Sequence, residues 1–314
     1  MRLPIRKNRR SQGAMEYLMT YGWAILIIAI VMVAIFQLHL FDPYTFSPKA
    51  STGSCQVIRP NGPGSNIFVS EIGEDCQTNE IPQYVAQFNG QNSEINLGNS
   101  SYLSPEAGSN GEISICLWYS VISFTNYHGL LFKAEPAPDS GNGYEYGLNG
   151  QPVGQEYGQG YVIWMKPGGN IAANSIDSAQ INTWKFTCFT YSYPASEAYF
   201  YVDNNQYPTT FTTGTPASVT TSDLMLGTGV GVGGVGGYSN VELSNLQIYN
   251  ISLTEQQVQA LYSEGIGGAP LDISNLAGWW PLNGNANDYS GNNDNGNSIA
   301  VNFVSNWENG YTTP

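Results

Sequence analysis

Residues 112–121 read Glu-Ile-Ser-Ile-Cys-Leu-Trp-Tyr-Ser-Val, a run in which side chains alternate in character. Ile113, Ile115 and Leu117 fall on one side of an extended chain, and residues such as Cys116 fall on the other. This pattern predicts a strand buried on one or both faces. Similar runs, separated by turns rich in Gly, Asn and Pro, occur at Tyr84–Phe88, Tyr161–Lys166, Trp184–Tyr191, Tyr199–Val202, Leu224–Gly227 and Val241–Ile248. Many short strands with almost no helix predict a mainly β protein, a sandwich or jelly roll.

One helix is expected late in the chain. Ser252-Leu-Thr-Glu255 has the spacing of a capping box, in which the first and fourth side chains satisfy each other's backbone N–H groups. Val258 and Leu261 supply an apolar face, and Gly265 ends the helix.

The order of these runs resembles the laminin-G-like, or concanavalin A-like, jelly-roll superfamily, including its pentraxin branch. The matching phrases are Phe88-Asn-Gly90, Ile113-Ser-Ile-Cys-Leu-Trp118, Trp184-Lys-Phe-Thr-Cys188, Tyr199-Phe-Tyr-Val-Asp203, Leu226-Gly227, Leu246-Gln-Ile-Tyr-Asn250, Leu253-Thr-Glu255 and Leu261-Tyr262. The resemblance implies a jelly roll over residues 84–314. Because pentraxins carry a disulfide between cysteines placed like Cys116 and Cys188, it also implies that pair. Two buried free thiols are the alternative.

The carboxyl-terminal part, residues 266–314, has an unusual order of motifs. Trp279-Trp-Pro-Leu-Asn-Gly284 and Asn287-Asp-Tyr-Ser-Gly-Asn292 resemble the phrase that normally opens such a domain, but here they come last. Circular permutation explains this, because the termini of sandwich domains often lie close together. Insertion of these strands into a neighbouring subunit is the alternative.

The composition predicts that this domain lies outside the cell, because few charges and many neutral polar residues are typical of extracellular β-proteins. Charged residues make up 11% of the 314, and Gly (36) and Tyr (21) are abundant. Beyond the first eleven residues there are five basic residues against 24 acidic ones, a net charge of −19. Such a surface repels nucleic acid, so we expect no nucleic-acid partner.

The amino-terminal segment predicts membrane insertion. Basic residues cluster within the first ten positions, and residues 17–41 carry no formal charge. As a helix, this stretch spans roughly 37 Å, more than the ~30 Å core of a bilayer. The basic side stays in the cytoplasm, which places the bulk of the chain outside the cell at the membrane surface.

The junction before this stretch, Arg9-Arg-Ser-Gln-Gly-Ala-Met-Glu-Tyr17, resembles the archaeal prepilin, or class III signal peptide, family. The resemblance implies a leader (1–11) cut after Ser11 by a prepilin peptidase, Gln12 at +1, and Glu16 at +5 in the pilin helix (12–41). In filaments of the family, the +5 Glu pairs with the new amino terminus of a neighbouring copy, so a homopolymer is implied. An uncleaved signal anchor is the alternative.

Residues 42–83 are rich in Pro, Gly and Ser and show no helical period, which predicts a stalk. Cys55 and Cys76 lie in this stalk, and outside the cell an even number of cysteines usually indicates disulfides. We expect a Cys55–Cys76 bridge that stabilises this loop by about 3 kcal/mol.

Catalytic motifs are scarce. The two histidines, His39 and His128, lie far apart in a membrane helix and a turn, and Glu145 has no evident carboxylate partner. Gly229–Gly234 fits the GxGxxG pattern, but a strand, not a helix, is expected after it. We therefore expect no enzyme and no dinucleotide site.

Two binding chemistries remain open. A group of tyrosines among Gly, Asn and Gln is typical of sugar stacking: Tyr127, Tyr144, Tyr146, Tyr157 and Tyr161. A group of hard oxygen donors fits Ca²⁺: Asp288, Asn292, Asn293, Asp294 and Asn295. Tyrosines on sandwich faces also pack in cores, and Asn/Asp clusters also form turns. Asn99-Ser-Ser101 and Asn250-Ile-Ser252 are glycosylation sequons.

Together these features predict a membrane-inserted, pilin-like cell-surface protein whose lectin-like domain mediates adhesion to glycan or to a surface protein. The alternatives are a structural filament or envelope subunit and, third, a surface glycoside hydrolase.

Overall fold

The computed structural model describes residues 19, 21–29, 31, 55–58, 69–72, 81–104, 111–123, 127–134, 143–150, 159–166, 169–174, 180–211, 221–229 and 237–314. The chain divides into two compact units, Met1–Pro48 and Lys49–Pro314. The described residues of the first unit are helical, and their apolar side chains are exposed, among them Trp23, Leu26 and Ile28. In the part of the chain that the structure describes, no helix is both long and apolar enough to cross a bilayer.

The segment predicted as a stalk contains a small antiparallel sheet. Strand β1 (Cys55–Ile58) pairs with β2 (Val69–Ile72), with Cys55 opposite Ile72. Cys76 lies outside the described residues, so the Cys55–Cys76 bridge stays a prediction.

The rest of the second unit is built from two large sheets. Among the described residues, sheet I has eight antiparallel strands in the order β12-β11-β10-β5-β17-β3-β20, with β18 also paired to β17. Its strands are β3 (Val85–Gln87), β5 (Glu112–Val121), β10 (Trp184–Ser192), β11 (Glu197–Val202), β12 (Asn205–Pro208), β17 (Val241–Tyr249), β18 (Leu276–Trp280) and β20 (Asn302–Val304).

Sheet II, the second layer, also has eight antiparallel strands in the described residues, in the order β13-β9-β8-β7-β6-β14-β4-β19. Its strands are β4 (Glu94–Asn96), β6 (Tyr127–Ala134), β7 (Gly143–Gly150), β8 (Gln159–Lys166), β9 (Gly169–Asn174), β13 (Thr210–Phe211), β14 (Met225–Leu226) and β19 (Asn297–Ile299). A separate pair, β15 (Thr228–Gly229) and β16 (Gly237–Tyr238), follows β14.

The inner faces of the two sheets form one hydrophobic core. On β5 the residues Ile113, Ile115 and Leu117 enter this core, as their alternation predicts, and Tyr146 and Leu226 meet them from sheet II. The expected two-layer β-sandwich is therefore confirmed.

The outer face of sheet I is also buried. Helix α1 (Glu255–Ser263) and the chain after it cover this face, and we call them the C-terminal layer. Val258 and Leu261 of the helix and Trp307 near the terminus join Cys116 and Trp118 of β5 in a second hydrophobic cluster. Both faces of β5 therefore carry apolar side chains, because both faces are covered by other parts of the domain.

Helix α1 begins two residues later than the sequence pattern predicted. Its capping box is formed by Thr254 and Gln257, not by Ser252 and Glu255. Both pairs fit the capping pattern. The backbone around Leu253 is held to sheet I, since Leu253 N donates to Ser114 Oγ at 2.8 Å, and this contact delays the first helical turn.

The last strands of the chain pair within the chain itself. β18 lies against β17 with Leu246 opposite Trp280, β19 pairs with β4, and β20 pairs with β3. The Trp307 indole N–H donates to Pro82 O at 3.0 Å, which joins the two ends of the domain. This arrangement agrees with circular permutation and needs no partner subunit.

Candidate functional site

The register of sheet II aligns a row of residues across six strands. Each residue of this row stands directly opposite the next: Asn96 on β4, Met225 on β14, Phe132 on β6, Glu145 on β7, Trp164 on β8 and Asn170 on β9. We call this set the cross-strand row. At about 4.8 Å per strand it extends for roughly 24 Å.

Alternation along the strands places three residues of the cross-strand row on the outer face. The residues on either side of Glu145 are Tyr144 and Tyr146, both buried in the core between the sheets. Leu131 beside Phe132 and Leu226 beside Met225 are buried in the same core. Since successive side chains of a strand point to opposite faces, Phe132, Glu145 and Met225 point away from the core.

Two apolar side chains of this row, Phe132 and Met225, are partly exposed. Phe132 and Met225 are half-buried, and neither packs in either of the two hydrophobic clusters of the described residues. On the outer face of sheet I, the C-terminal layer covers the sheet. A half-buried apolar side chain keeps exposed surface that a ligand can cover.

The local sequence of β7 isolates Glu145 on the outer face. The strand reads Gly-Tyr-Glu-Tyr-Gly-Leu-Asn-Gly over 143–150, so that Gly143 and Gly147 flank Glu145 on the outer face. Without side chains at these two positions, Glu145 is the one residue with a side chain on the outer face between Gly143 and Gly147. Glu145 itself is 6% exposed.

The side-chain amide of Asn96, at the β4 end of the row, is held in place by hydrogen bonds. Asn96 Nδ2 donates to Asp223 Oδ2 at 2.7 Å, and Asn96 Oδ1 accepts from Gly98 N at 2.8 Å. The side chain is therefore oriented before any ligand arrives, and Asp223 is oriented with it.

Lys133, the neighbour of Phe132, points into the sandwich. Its side chain is fully buried, and Nζ donates to Ser222 O at 2.8 Å. Burial lowers the pKa of Lys133, and the nearby Asp223 and Asp294 carboxylates partly offset this effect. The ammonium group of Lys133 points into the interior and does not belong to the cross-strand row. The described part of this row therefore has apolar, amide and carboxylate groups.

Two of the tyrosines predicted to stack on sugars cannot do so. Tyr144 and Tyr146 are fully buried; Tyr144 Oη donates to Leu103 O at 2.8 Å, and Tyr146 Oη bonds to Thr187 Oγ1 across the core. Burial raises the pKa of both phenols. The prediction was wrong for these two residues because clustering along the sequence does not reveal which face of a strand a side chain occupies.

For the other three tyrosines, stacking on sugars stays a prediction. The backbones of Tyr127 and Tyr161 belong to β6 and β8 of sheet II, and Tyr157 lies outside the described residues.

The proposed calcium ligands serve to hold a loop together. Asp288 Oδ1 accepts from Trp279 N and Ser290 N, and its Oδ2 accepts from Ser290 Oγ and Asp294 N, all within 3.1 Å. Asn292 Nδ2 donates to two backbone carbonyls of β18. Since the oxygens of Asp288 are used by N–H and O–H donors, the calcium interpretation of this cluster is not supported. No group of three or more His, Cys, Asp or Glu that could hold a metal occurs in the described ranges.

The Cys116–Cys188 disulfide is confirmed. The two residues stand opposite each other on β5 and β10, with their Cα atoms 4.0 Å apart, and the bond is buried beneath the C-terminal layer. Ser11, Gln12 and Glu16 of the processing junction lie outside the described residues.

Sequence reasoning missed the cross-strand row. Phe132, Met225 and Trp164 are separated by long stretches of sequence, and only the strand order of sheet II brings them together. The alternation of Gly143, Glu145 and Gly147 with buried tyrosines was the one local signal of an outward polar set.

Comparison with known proteins agrees with this architecture. Residues 89–259 match the Laminin_G_3 family, described as the concanavalin A-like lectin/glucanases superfamily. No curated protein sequence matches the chain.

Among solved structures, a Bacteroides ovatus protein to which carbohydrate binding is attributed aligns with a TM-score of 0.50 at 14% identity. The alignment covers 71% of this chain and 60% of that protein, so this chain spans less than two thirds of its length. A pentraxin from Limulus polyphemus aligns with a TM-score of 0.45 at 15% identity, covering 61% of this chain and 87% of that one.

At these identities the structural likenesses concern the fold alone. The family match extends over more than half of the chain and includes both strands that carry the confirmed disulfide. The chain therefore belongs to the concanavalin A-like lectin/glucanases superfamily.

Proposed function

We propose that this protein binds glycans through the cross-strand row on the outer face of sheet II. The observation that carries the proposal is the row itself, in which Phe132 and Met225 are half-buried outside both hydrophobic clusters of the described residues and Phe132 stands opposite Glu145. The family, whose description names lectins and glucanases, supports the same ligand class.

The chemistry of the row suits a sugar. Aromatic and apolar side chains pack against the C–H faces of a pyranose ring, while carboxylate and amide oxygens accept hydrogen bonds from its hydroxyl groups. Ligand sites commonly combine such apolar walls with a few oriented polar groups. Because the row runs across strands for roughly 24 Å, it offers room for several consecutive sugar units.

Charge favours neutral glycans over anionic ones. The protein has a net charge of −14, and the carboxylate of Glu145 stands at the centre of the row. A sulfated or uronic-acid glycan would meet like charge at close range, which lowers both its rate of association and its affinity.

A glycan array tests this proposal, followed by titration calorimetry with any glycan that binds. We expect the wild-type protein to bind at least one neutral oligosaccharide. Phe132→Ala removes the packing surface and should weaken binding about tenfold or more, as expected for a central contact residue. Glu145→Gln removes the charged acceptor and should weaken binding at least tenfold.

Ile181→Ala is the matched control, since Ile181 is exposed and lies beside Val121 of sheet I, away from the cross-strand row. Silence across the array, or equal loss of affinity in the control and in the Phe132 variant, would contradict the proposal. If the protein bound a surface protein and no glycan, a role in adhesion would still hold, but the assignment of a sugar ligand would be wrong.

Hydrolysis is a less favoured activity for this face. Glycosidases place two carboxyl groups about 5–10 Å apart. Asp223, which is bonded to Asn96, lies two residues before Met225 of β14. This strand is two strands away from β7, which carries Glu145. At about 4.8 Å per strand and about 3.3 Å per residue, the backbones of Asp223 and Glu145 are roughly 12 Å apart, and Glu94 on β4 is farther away. We therefore propose a binding protein, and release of reducing sugar from a bound polysaccharide would overturn this view.

We propose further that the amino-terminal unit holds the protein in the cell membrane, with the sandwich outside the cell. The described helical residues expose large apolar side chains, for example Trp23 at 64% and Ile28 at 61% exposure. Water is an unfavourable surrounding for such a surface, and lipid or neighbouring helices would stabilise it.

Amino-terminal sequencing of the native protein tests the processing step. A mature terminus at Gln12 supports cleavage by a prepilin peptidase, and an intact Met1 in the membrane supports the simple anchor. Glu16→Gln should impair assembly if subunits polymerise through this carboxylate. Polymers together with a silent glycan array would select the structural filament.

A further inference from the structure

The two glycosylation sequons differ in their exposure to solvent and in the hydrogen bonds that hold them. Asn99-Ser-Ser101 follows β4 at the end of sheet II, and Asn250-Ile-Ser252 connects β17 to helix α1. A sequon accepts a glycan only where its amide nitrogen can reach a transferase, which favours exposed loops.

Asn99 is exposed and weakly held. Its side chain is accessible to solvent, and Nδ2 makes a single long hydrogen bond to Thr221 O at 3.3 Å, itself on an exposed residue. Ser101, whose hydroxyl completes the sequon, is also exposed. Breaking one long, solvent-exposed hydrogen bond frees the amide nitrogen at little cost.

The second sequon is fixed against sheet I. Asn250 Oδ1 is inaccessible to solvent, and Asn250 N donates to Asn275 O at 2.9 Å. Ser114 Oγ donates to Ile251 O at 2.7 Å and accepts from Leu253 N at 2.8 Å. Presentation of Asn250 to an enzyme therefore requires these three hydrogen bonds to open together.

We infer that Asn99 is an N-glycosylation site of the folded protein and that Asn250 is not. In the transfer, Asn99 Nδ2 forms a bond to the anomeric carbon of a lipid-linked glycosyl phosphate. The bond between that carbon and the phosphate oxygen breaks, the lipid phosphate leaves with the electron pair, and one amide proton passes to a base of the transferase. The inference relies on the proposed location outside the cell.

The two sequons should differ strongly in occupancy. Loss of three hydrogen bonds, each worth about 1 kcal/mol, makes the open state of the Asn250 segment roughly a hundredfold rarer than that of Asn99. Asn99 lies three residues beyond Asn96 of the cross-strand row, just after the end of β4.

The test is glycopeptide mass spectrometry on the full-length protein isolated from the cells that produce it. We compare the wild type with Asn99→Gln, Asn250→Gln and the pair Ser101→Ala and Ser101→Thr. We expect a glycan at Asn99, its loss in Asn99→Gln and Ser101→Ala, and its retention in Asn250→Gln and Ser101→Thr. An unmodified Asn99, or equal occupancy at Asn250, would overturn the inference.

Two further measurements separate the possible failures. Surface biotinylation of intact cells reports location independently, so that an exposed protein with an unmodified Asn99 refutes the site alone, whereas an inaccessible protein also refutes the proposed location. Thermal unfolding of each variant checks folding, because Asn99→Gln keeps an amide at an exposed position and should leave the melting temperature unchanged.

Discussion

Removal of the carboxyl-terminal segment should unfold the whole sandwich. Residues 277–314 include Trp279, Trp280 and Trp307, each at most 2% exposed. Trp280 belongs to the core between the sheets, and the other two belong to the cluster under the C-terminal layer. Truncation of a buried Trp to Ala typically costs 3–5 kcal/mol, so the loss of three such residues costs about 9–15 kcal/mol. This amount equals or exceeds the total stability of a typical domain, about 5–15 kcal/mol.

The assay is urea unfolding followed by near-ultraviolet circular dichroism, with point variants that grade the effect. Trp307→Ala should lower the free energy of unfolding by about 3–5 kcal/mol. Trp307→Phe keeps most of the packing but loses the hydrogen bond to Pro82 O, and should cost about 1–2 kcal/mol. Ile299→Ala, at an exposed position of the same segment, should cost less than about 0.5 kcal/mol. A folded, monomeric protein without residues 277–314 would refute pairing within the chain and favour exchange between subunits.

The remaining predictions concern bonds, turns and ionisation. Replacing Cys116 and Cys188 together by Ala should lower the free energy of unfolding by about 4 kcal/mol, because the bond closes a loop with a sequence separation of 72; urea unfolding checks this. Gly227→Ala should cost more than about 2 kcal/mol, since a Cβ there meets the Phe88 ring at a φ of +79°; an unchanged melting temperature would contradict this. Burial raises the pKa of Tyr191 to about 12, so its phenol resists ionisation when folded. Stability is therefore complete below pH ~10, the unfolded pKa, and falls as the pH rises towards 12; a Tyr191→Phe variant should lose less stability over that range in alkaline melts. Millimolar Ca²⁺ should leave the melting temperature unchanged, and a calcium-dependent rise would restore the metal interpretation.

The strands of the core were predictable because their signal is local. In 112–121 the alternation of Ile113, Ile115 and Leu117 survives in the structure, and the family resemblance identified the right cysteine pair. Helix α1 was also predictable, but its first turn was not. Two overlapping capping patterns competed, and the contact of Leu253 with Ser114, which is remote in sequence, decided between them.

The candidate site depended on strand order, which local patterns do not contain. Phe132 and Met225 become neighbours only because β14 inserts between β6 and β4. The same limitation explains the error at Tyr144, since a tyrosine between Gly143 and Glu145 is equally compatible with an exposed stacking residue and with a core residue. Asp288 was misread for a related reason: backbone N–H groups of a loop and a metal ion compete for the same carboxylate oxygens.

The most direct test of the central claim is hydrogen–deuterium exchange on the full-length protein with and without a bound neutral oligosaccharide from the array. We expect slower exchange in peptides from β6, β7 and β14, which carry Phe132, Glu145 and Met225, and unchanged exchange in helix α1. Protection confined to helix α1, with β6, β7 and β14 unaffected, would contradict the proposed site.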